Sequence, residues 1–501
     1  MGFCLSVISG CSLSQSIARC KGRFPALGNS LGGNGLLVAQ FTAGEWLALI
    51  QHELLLMAAV FFGIGLLDEL AMDAAYIWLR LTGRTKTERL PGTDLRDEEL
   101  MGMAAVFIPA WREDAVIGPT LTHALASWPQ EDLRIYVGCY RNDPETQASI
   151  AVAARADRRV RMVIVGEDGP TSKAHCLNRL YLALQDDEAR MRCKAHMVVL
   201  HDAEDMVDPA ALVLLDRAVW LSDFVQLPVM ALPPSDSRWI ANHYSDEFAE
   251  SHAKAMVVRD ALGCAIPGAG VGSAIARPML DRLARAHQGE PFARHSLTED
   301  YELGQRVVAL GGAGRFLRVR TQGGSLVATR AYFPSSLETS VRQKTRWVHG
   351  IALQGWDRLG WGGSLLNRWM TLRDRRGPLA ALVLACAYFL VAASFISGLA
   401  VEFGLVAALE PSPLLRALLL FTLAGLFWRC AARAVFTARE YGAAEGLRAI
   451  PRVIVSNIIA IMSGRRALAA YFGTLRGAPV VWDKTEHSDH PAIALQRELP
   501  A

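Results

Sequence analysis

Long apolar segments near both ends of the chain limit what it can fold into. The segment "GPLAALVLACAYFLVAASFISGLAV", residues 377–401, contains no charged residue, and neither does "LLLMAAVFFGIGLL", residues 54–67. A helix needs ~20 mostly apolar residues to cross a membrane. The first segment is long enough, and the second becomes so because "AAYIWLRL" extends its apolar character past Asp68. The sequence therefore predicts a transmembrane helix at each place, the earlier one at residues 46–81.

The C-terminal part of the chain offers further membrane segments. "LLRALLLFTLAGLFWRCAARAVF", residues 414–436, predicts another span, whereas "VIVSNIIAIM", residues 453–462, has only about half the length that a bilayer requires. The basic and aromatic residues of "SGRRALAAYFGTLRG", residues 463–477, favour a helix that lies in the interface. We therefore predict transmembrane and interfacial helices at residues 377–477, followed by a C-terminal tail at residues 478–501.

The distribution of basic residues predicts the orientation in the membrane. Arginine and lysine are concentrated in cytoplasmic loops. Basic residues follow the first predicted span and precede the second; they are Arg80, Arg84, Lys86, Arg89, Arg368, Arg373, Arg375 and Arg376. Residues 82–376 should therefore lie in the cytoplasm, and the chain should be a multi-pass protein of the bacterial inner membrane.

Composition argues against several classes of protein. The formal net charge of +3 over 501 residues is too small to indicate a nucleic-acid partner. The nine cysteines are scattered without a C-x-x-C pair, so neither a disulfide scaffold nor a zinc site is indicated. Residues 1–45 are rich in Gly and Ser and lack the ordered regions of a signal peptide. We predict that this N-terminal segment is poorly ordered.

Between the predicted spans, short apolar runs alternate with helix-like segments. The runs are "MAAVFIPA", "LRIYVGCY", "VRMVIVG" and "MVVLHDAED". This alternation is typical of an α/β protein with a parallel, doubly wound sheet. Ligands bind such sheets at the carboxyl ends of the strands. The pattern therefore places Glu113, Asp143, Lys173 and Asp202 along one edge of the sheet.

The last of these runs ends in "HDAED", which carries Asp202, Glu204 and Asp205. Two carboxylates separated by one residue where a strand becomes a loop are suited to Mg²⁺ or Mn²⁺, which take further ligands from substrate phosphates. A solvated loop before a helix is the alternative, because Asp208 and Pro209 resemble a helix N-cap followed by proline. The segment alone leaves both interpretations open.

Two later segments also place polar residues at defined helical positions. In "LTEDYELGQRV", Thr298 is a candidate helix cap, with Glu299 and Asp300 in the first turn. In "VRQKTRWVHG", Gln343, Arg346 and Trp347 share one face of a predicted helix; the spacing is that of helical neighbours. Each segment alone fits an ordinary surface helix equally well.

Taken in order, these segments resemble the processive family 2 glycosyltransferases, the class that includes cellulose, chitin and hyaluronan synthases. The resemblance covers about Val106 to Gly350 together with the membrane helices. It implies the GT-A fold, a doubly wound, mostly parallel sheet domain, at residues 82–376, flanked by transmembrane helices. It also implies transfer of a sugar from a nucleotide donor, expected to carry uridine diphosphate, with inversion at the sugar.

The resemblance assigns donor-binding roles to Glu113 in "VFIPAWRED", Asp143 in "YRNDP", Lys173 in "GPTSKAHCLN" and Asp202. "HDAED" corresponds to the D-x-D metal motif of the family but has a glutamate where aspartate is commoner. The second ligand of Mg²⁺ or Mn²⁺, after Asp202, is therefore either Glu204 or Asp205.

The remaining motifs are assigned to the acceptor side. "TED" implies Asp300 as the general base, with Glu299 beside it, and "QKTRW" fits the Q-x-x-R-W signature. This signature places Gln343, Arg346 and Trp347 near the acceptor and the diphosphate. The segment "GCAIPGAGVGSAIAR" resembles the glycine-rich stretch before the acceptor site, where glycines let the backbone approach a sugar.

The expected partners follow from this resemblance. They are a nucleotide-sugar donor, a polysaccharide or lipid-linked acceptor and the membrane, together with an outer-membrane export partner or a second copy of the chain, because few C-terminal spans are evident. Two other functions remain open. One is transfer to a lipid carrier without polymerisation, and the other is a membrane receptor or scaffold that kept the fold but not the chemistry.

Overall fold

The computed structural model divides into two compact units, residues 1–50 and residues 51–501. The predicted N-terminal segment up to residue 42 and the tail "PVVWDKTEH" fall outside the part of the chain that the structure describes. The described residues are 43–90, 95–234, 237–404, 410–478 and 490–493.

A seven-stranded sheet lies at the centre of the second unit. The four apolar runs of the sequence form its strands β2 (Ala104–Pro109), β3 (Leu133–Tyr140), β4 (Val160–Val165) and β5 (Met197–Leu200). All pairings among these four strands are parallel. Both faces of β2 and β5 are covered, which explains why their sequences are apolar without alternation.

Three shorter strands, β6 (Phe224–Gln226), β8 (Ser273–Ala276) and β9 (Gly314–Phe316), complete the sheet in the order β4-β3-β2-β5-β8-β6-β9. Strand β8 is antiparallel to both β5 and β6, whereas β6 and β9 are parallel. The predicted α/β fold with a mostly parallel sheet is confirmed, and β8 is its antiparallel exception.

Two small parallel sheets stand beside the main one. Strand β1 (Glu88–Arg89) pairs with β10 (Val319–Arg320), and β7 (Val229–Leu232) pairs with β11 (Thr329–Tyr332). The isolated bridge between Met206 and Arg330 adds the loop after β5 to the side of β11.

Helices cover both faces of the main sheet. They are α2 (Asp114–Ser127), α3 (Pro144–Ala156), α4 (Lys173–Met191), α5 (Ala211–Val219), α7 (Met256–Ala261), α8 (Arg277–Ala286) and α9 (Glu299–Ala309). Helix α6 (Asn242–Glu250) instead packs against β7 of a small sheet. One core, beneath α2 and α5, includes Leu121 and Leu215, and the other, beneath α4 and α9, includes Leu180 and Val307. A π-helical turn, Ser251–Ala255, joins α6 to α7.

The remaining α-helices follow β11 or precede β1. They are α10 (Leu337–Val348), α11 (Gly355–Leu359), α12 (Leu365–Arg375), α13 (Gly377–Glu402), α14 (Pro413–Tyr441) and α15 (Ala443–Leu475), with α1 (Ala43–Leu81) before the sheet domain. Four of the described helices, α1, α13, α14 and α15, are long and apolar enough to cross a membrane.

Helix α15 differs from the prediction. The sequence predicted a half-length apolar segment and a separate interfacial helix, but the structure has one continuous helix across both. The physical reason is the distribution of small residues around Gly464. A Cβ built on Gly464 would lie 2.5 Å from Ala381 Cβ of α13, so the second half packs against another long apolar helix. Its two arginines, Arg465 and Arg466, remain exposed on other sides.

Candidate active site

The carboxyl ends of β2, β3 and β5 open onto a cavity of about 300 Å³. Its walls also include the first turn of α9 and one face of α10. Most of the predicted functional side chains line this cavity. They are Glu113, Lys173, Asp202, Glu204, Asp205, Glu299, Asp300, Gln343, Arg346 and Trp347. Segments that are far apart in the sequence therefore meet at one place.

Lys173 occupies the middle of the acidic side of the cavity. It is the first residue of α4, whose N-cap Ser172 accepts a hydrogen bond from the backbone of His175 at 3.2 Å. Lys173 Nζ lies 2.5 Å from Asp202 Oδ1. Burial disfavours the charge on Lys173, but the surrounding carboxylates, Asp202 foremost, outweigh this and raise the pKa of Lys173. The lysine is therefore a fixed cation between acids.

Residues 201–208, which we call the acidic loop, follow β5. Asp202 and Glu204 are both partly exposed and line the cavity. Asp205 is buried, and its Oδ2 accepts hydrogen bonds from His201 Nδ1 at 2.8 Å and from the backbone of Asp202 at 2.9 Å. Asp205 therefore stabilises the turn of the loop, whereas Asp202 and Glu204 remain partly exposed in the cavity.

The first turn of α9 brings two more carboxylates to the cavity. Glu299 is buried, whereas Asp300 is partly exposed and its Oδ1 accepts the backbone N–H of Tyr301 at 2.8 Å. Burial raises the pKa of Asp300 and the charge of Asp202 raises it further, although Lys173 opposes both effects. Burial and the charge of Asp300 raise the pKa of Glu299 to about 7. Both groups therefore bind protons more readily than ordinary carboxylates.

The glycine-rich segment packs against this turn of α9. A Cβ built on Gly268 would lie 2.5 Å from the backbone oxygen of Asp300, and one built on Gly270 would lie 2.6 Å from Asp300 Oδ2 and 3.2 Å from Lys173 Nζ. Gly270 also has a φ of +78°, which L-residues rarely adopt. The absence of side chains here lets the segment approach Asp300 and Lys173.

We expect Gly270→Ala to lower, at least about tenfold, the sugar-transfer rate that the family resemblance implies, because the new methyl group would displace Asp300 or Lys173. Gly289→Ala is the matched control, since Gly289 has a φ of +92° and open space around its built Cβ. Both variants carry a similar backbone strain of ~1–2 kcal/mol. Transfer rates and thermal unfolding of both variants test this expectation. Equal losses of activity would show that backbone strain alone is responsible.

One face of α10 forms the wall opposite the acidic loop. Gln343, Arg346 and Trp347 all line the cavity. Among the described residues, no hydrogen bond or ion pair engages the Arg346 guanidinium. Trp347 makes an edge contact with Tyr244, with ring centroids 5.9 Å apart. The helix therefore presents a cation and an indole to whatever the cavity binds.

Glu113 and Asp143 take different positions. Glu113 is buried and lines the cavity, and its backbone N–H donates to Thr146 Oγ1 at 3.0 Å. Asp143 is also buried but lies behind the cavity wall, where its Oδ2 accepts the backbone N–H of Arg112 at 2.6 Å. Because Arg112 has a φ of +53°, this bond supports an uncommon turn. Asp143 therefore shapes the turn that presents Glu113.

Several aromatic cavity residues were not among the predicted site residues. Trp111 and Tyr140 make an edge contact with ring centroids 5.2 Å apart, and a Cβ built on Gly169 would lie 2.4 Å from the Trp111 ring. Phe248 and Phe333 line another part of the cavity. The sequence could have indicated Trp111 as a site residue, because it directly follows the apolar run of β2 and lies two positions before Glu113. The two phenylalanines belong to no recognised motif.

Comparison with known proteins agrees with the motifs. The family described as "Glycosyltransferase like family 2" matches residues 102–350. Bacteriophage adsorption protein B of Escherichia coli (strain K12) is 31% identical over 477 residues, which covers 89% of this chain and 63% of that protein. Bacteriophage N4 adsorption protein B of Escherichia coli O157:H7 matches with the same values. In the sequence, "HDAED", "GPTSKAHCLN", "LTEDYELG" and the tail "PVVWDKTEH" predict a narrower likeness to phage adsorption protein B, and these matches confirm it.

Two solved structures show distant similarity. The mannosyltransferase PcManGT from Pyrobaculum calidifontis, in complex with GDP-Man and Mn²⁺, is 17% identical with a TM-score of 0.48, covering 81% of this chain and 99% of that chain. Glucosyl-3-phosphoglycerate synthase from Mycobacterium tuberculosis, in complex with phosphoglyceric acid, is 16% identical with a TM-score of 0.33, covering 56% of this chain and 89% of that chain.

The family match contains strands β2 to β11 and every predicted cavity residue. The relatives named above are 31% identical to this chain over an alignment that covers 89% of it. The predicted family and enzyme class are thereby confirmed. Residues 102–350 are therefore a glycosyltransferase family 2 domain.

Proposed function

We propose that this enzyme transfers a sugar from a nucleoside-diphosphate donor to a hydroxyl group of a growing polysaccharide, with inversion at the sugar. One observation carries the proposal: Asp202 and Asp300 line the same cavity, where Lys173 pairs with Asp202 and also interacts with the charge of Asp300. Inversion needs a base on the acceptor side and positive charge beside the departing diphosphate. The shared cavity therefore supports assigning these two tasks to Asp300 and Asp202 respectively. A uridine-diphosphate sugar is the expected donor.

The acidic loop fits a hard divalent cation, Mg²⁺ or Mn²⁺. Two carboxylates, Asp202 and Glu204, reach the cavity together, and such ions readily take water and phosphate oxygens as further ligands. Within the described ranges, no three acidic, histidine or cysteine side chains are grouped as metal ligands. When bound, the ion would stabilise negative charge on the leaving group as a Lewis acid.

The chain's own groups have distinct roles in the proposed reaction. Asp300 Oδ1 is bound to the backbone of Tyr301, so Oδ2 is the oxygen that takes the proton from the acceptor hydroxyl. Lys173 and Arg346 bind the diphosphate, the arginine by a forked contact. Trp347 stacks on a sugar face. Glu113 contacts the nucleotide, and Asp143 holds the turn that presents it.

The acceptor side adjoins the candidate membrane helices. Helix α10 packs against α15, and Tyr471 of α15 donates to Asp357 Oδ2 at 2.7 Å and makes an edge contact with His349. We therefore propose that the acceptor passes from the cavity toward the membrane, with the sheet domain in the cytoplasm and α1, α13, α14 and α15 in the bacterial inner membrane. An outer-membrane export partner or a second copy of the chain would complete the path. A lipid-linked acceptor would use the same donor site.

Washed membranes that contain the enzyme test this function. We expect release of nucleoside diphosphate from one member of a panel of UDP- and GDP-sugars when Mg²⁺ or Mn²⁺ is present. Label from the sugar should appear in ethanol-insoluble polymer; label in an organic extract would instead indicate a lipid carrier. If wild-type membranes released no more nucleoside diphosphate from any donor than membranes that contain Asp202→Asn, the proposal would be contradicted.

The name of the two relatives supports a second function, that of a membrane receptor or scaffold. The Asp300→Asn variant distinguishes the two functions. A scaffold role in phage adsorption would survive this substitution, because the side chain lies in a cavity rather than on the outer surface. A role that depends on the sugar product would be lost together with transfer. Phage adsorption to cells that carry the variant distinguishes the two.

Glu204→Gln and Asp205→Asn should separate metal binding from loop structure. We expect Glu204→Gln to raise the Mn²⁺ concentration for half-maximal activity at least about tenfold, because a ligand charge is lost. Asp205→Asn should mainly lower thermal stability by ~1–3 kcal/mol, because it weakens buried hydrogen bonds. Manganese titrations and thermal unfolding of both variants provide the measurement. The opposite pattern would identify Asp205 as the second ligand.

A further inference from the structure

The acidic loop has a second side, away from the cavity, where side chains bind its backbone carbonyl groups. Two of these side chains come from α2. Thr120 Oγ1 donates to the carbonyl of Ala203 at 2.5 Å, and His123 Nε2 lies 2.9 Å from the carbonyl oxygen of Val207. Buried carbonyl groups in an irregular loop need such partners. The loop is therefore held from behind by contacts that no predicted motif contains.

Residues outside α2 bind two further carbonyls of the loop. Trp128 Nε1 donates to the carbonyl of Asp208 at 3.1 Å. His490 Nε2 lies 3.4 Å from the carbonyl oxygen of Asp205. Carbonyls at four positions of the loop thus have side-chain partners on the side opposite the carboxylates that face the cavity.

His490 is the least expected of these contacts, because 285 residues separate it from Asp205. Its side chain is 1% exposed, and its ring is 6.5 Å from the ring of His123. The backbone N–H of Ala492 donates to His490 Nδ1 at 3.1 Å, so the proton of the neutral ring is on Nε2. This tautomer makes Nε2 a donor to the Asp205 carbonyl.

We infer that residues 490–493 are a docking segment and that His490 is a positioning residue for the acidic loop. By fixing the backbone at Asp205, His490 sets the direction of Asp202 and Glu204, and the affinity for the nucleoside-diphosphate donor therefore depends on a segment near the C-terminus. This inference rests on the proposed function, since it assumes that the acidic loop binds the donor.

The test uses the full chain in membranes and measures initial rates with donor and acceptor varied separately. We expect His490→Ala to raise the KM for the donor about tenfold, equivalent to about 1.4 kcal/mol, and to leave the KM for the acceptor unchanged. His490→Gln should recover part of the loss, because its amide can donate to the same carbonyl. His295→Ala, at an exposed position, is the matched control.

Two deletions locate the effect without relying on one substitution. Deletion of residues 490–501 should raise the donor KM like His490→Ala, whereas deletion of residues 494–501 should not. Equal effects of the two deletions, a donor KM unchanged in His490→Ala, or a parallel rise in donor and acceptor KM would each overturn the inference. Asp202→Asn is measured in the same assays. Full activity of Asp202→Asn would refute the proposed function itself. An inactive Asp202→Asn together with a wild-type donor KM in His490→Ala would refute the docking segment alone.

Discussion

Asp300→Asn should reduce sugar transfer by about 10²–10⁴-fold, the usual contribution of a positioned general base. The amide keeps the size of the side chain and can still accept the backbone N–H of Tyr301, but it cannot take a proton. Donor binding should remain within about threefold of the wild-type value, because Asp202 and Lys173 are unchanged. Transfer rates and donor binding to purified enzyme are the two measurements.

The control is Asp132→Asn, the same chemical change at an exposed turn before β3. The pH dependence adds a second readout. Because burial raises the pKa of Asp300 and the general base must be deprotonated, kcat/KM should rise with pH through a value above that of an ordinary aspartate. A variant that keeps full turnover, or a wild-type profile without this acid limb, would count against Asp300 as the base.

Asp202→Asn should have the second largest effect, a loss of about 10³-fold in kcat/KM. This corresponds to about 4 kcal/mol at tenfold per 1.4 kcal/mol, the size expected when Lewis-acid stabilisation of a leaving group is lost. The substitution also removes the carboxylate that lies 2.5 Å from Lys173 Nζ. The measurement is the transfer rate as a function of Mg²⁺ or Mn²⁺ concentration.

Lys173→Met separates the two effects of Asp202. It removes the ion pair with Asp202 but leaves the carboxylates of Asp202 and Glu204 in place. We expect this variant to lose donor affinity and to keep its activation by metal, whereas Asp202→Asn should lose both. A metal activation curve of Asp202→Asn that matches the wild-type curve would show that no ion is bound at this position.

Only part of the main sheet could be predicted from sequence patterns. The four runs at β2 to β5 were predictable because strands covered on both faces must be apolar throughout. The antiparallel strand β8 was not predictable, because its sequence "SAIA" lies in a glycine-rich stretch. The direction of this strand depends on its pairing with β5 and β6. Pairing between strands distant in the chain leaves no local signal.

The candidate membrane helices give a similar contrast. Segments 377–401 and 414–436 correspond to α13 and α14, because length and lack of charge are local properties. The continuity of α15 past Met462 was missed, because it depends on Gly464 packing against Ala381 of another helix. An amphipathic pattern cannot distinguish contact with lipid headgroups from contact with a neighbouring helix.

By itself the sequence determined the family, the parallel sheet and the set of acids and bases that could act, since these follow from residue types in a fixed order. Tertiary structure alone decided their positions. It turned Asp205 inward to His201, placed Asp143 behind the turn at Arg112 and brought Lys173 against Asp202. The reason is that hydrogen-bond donors from the folded backbone and from distant residues decide whether a carboxylate faces a cavity or the interior. The local sequence around neighbouring acids does not show which of these donors each acid will contact.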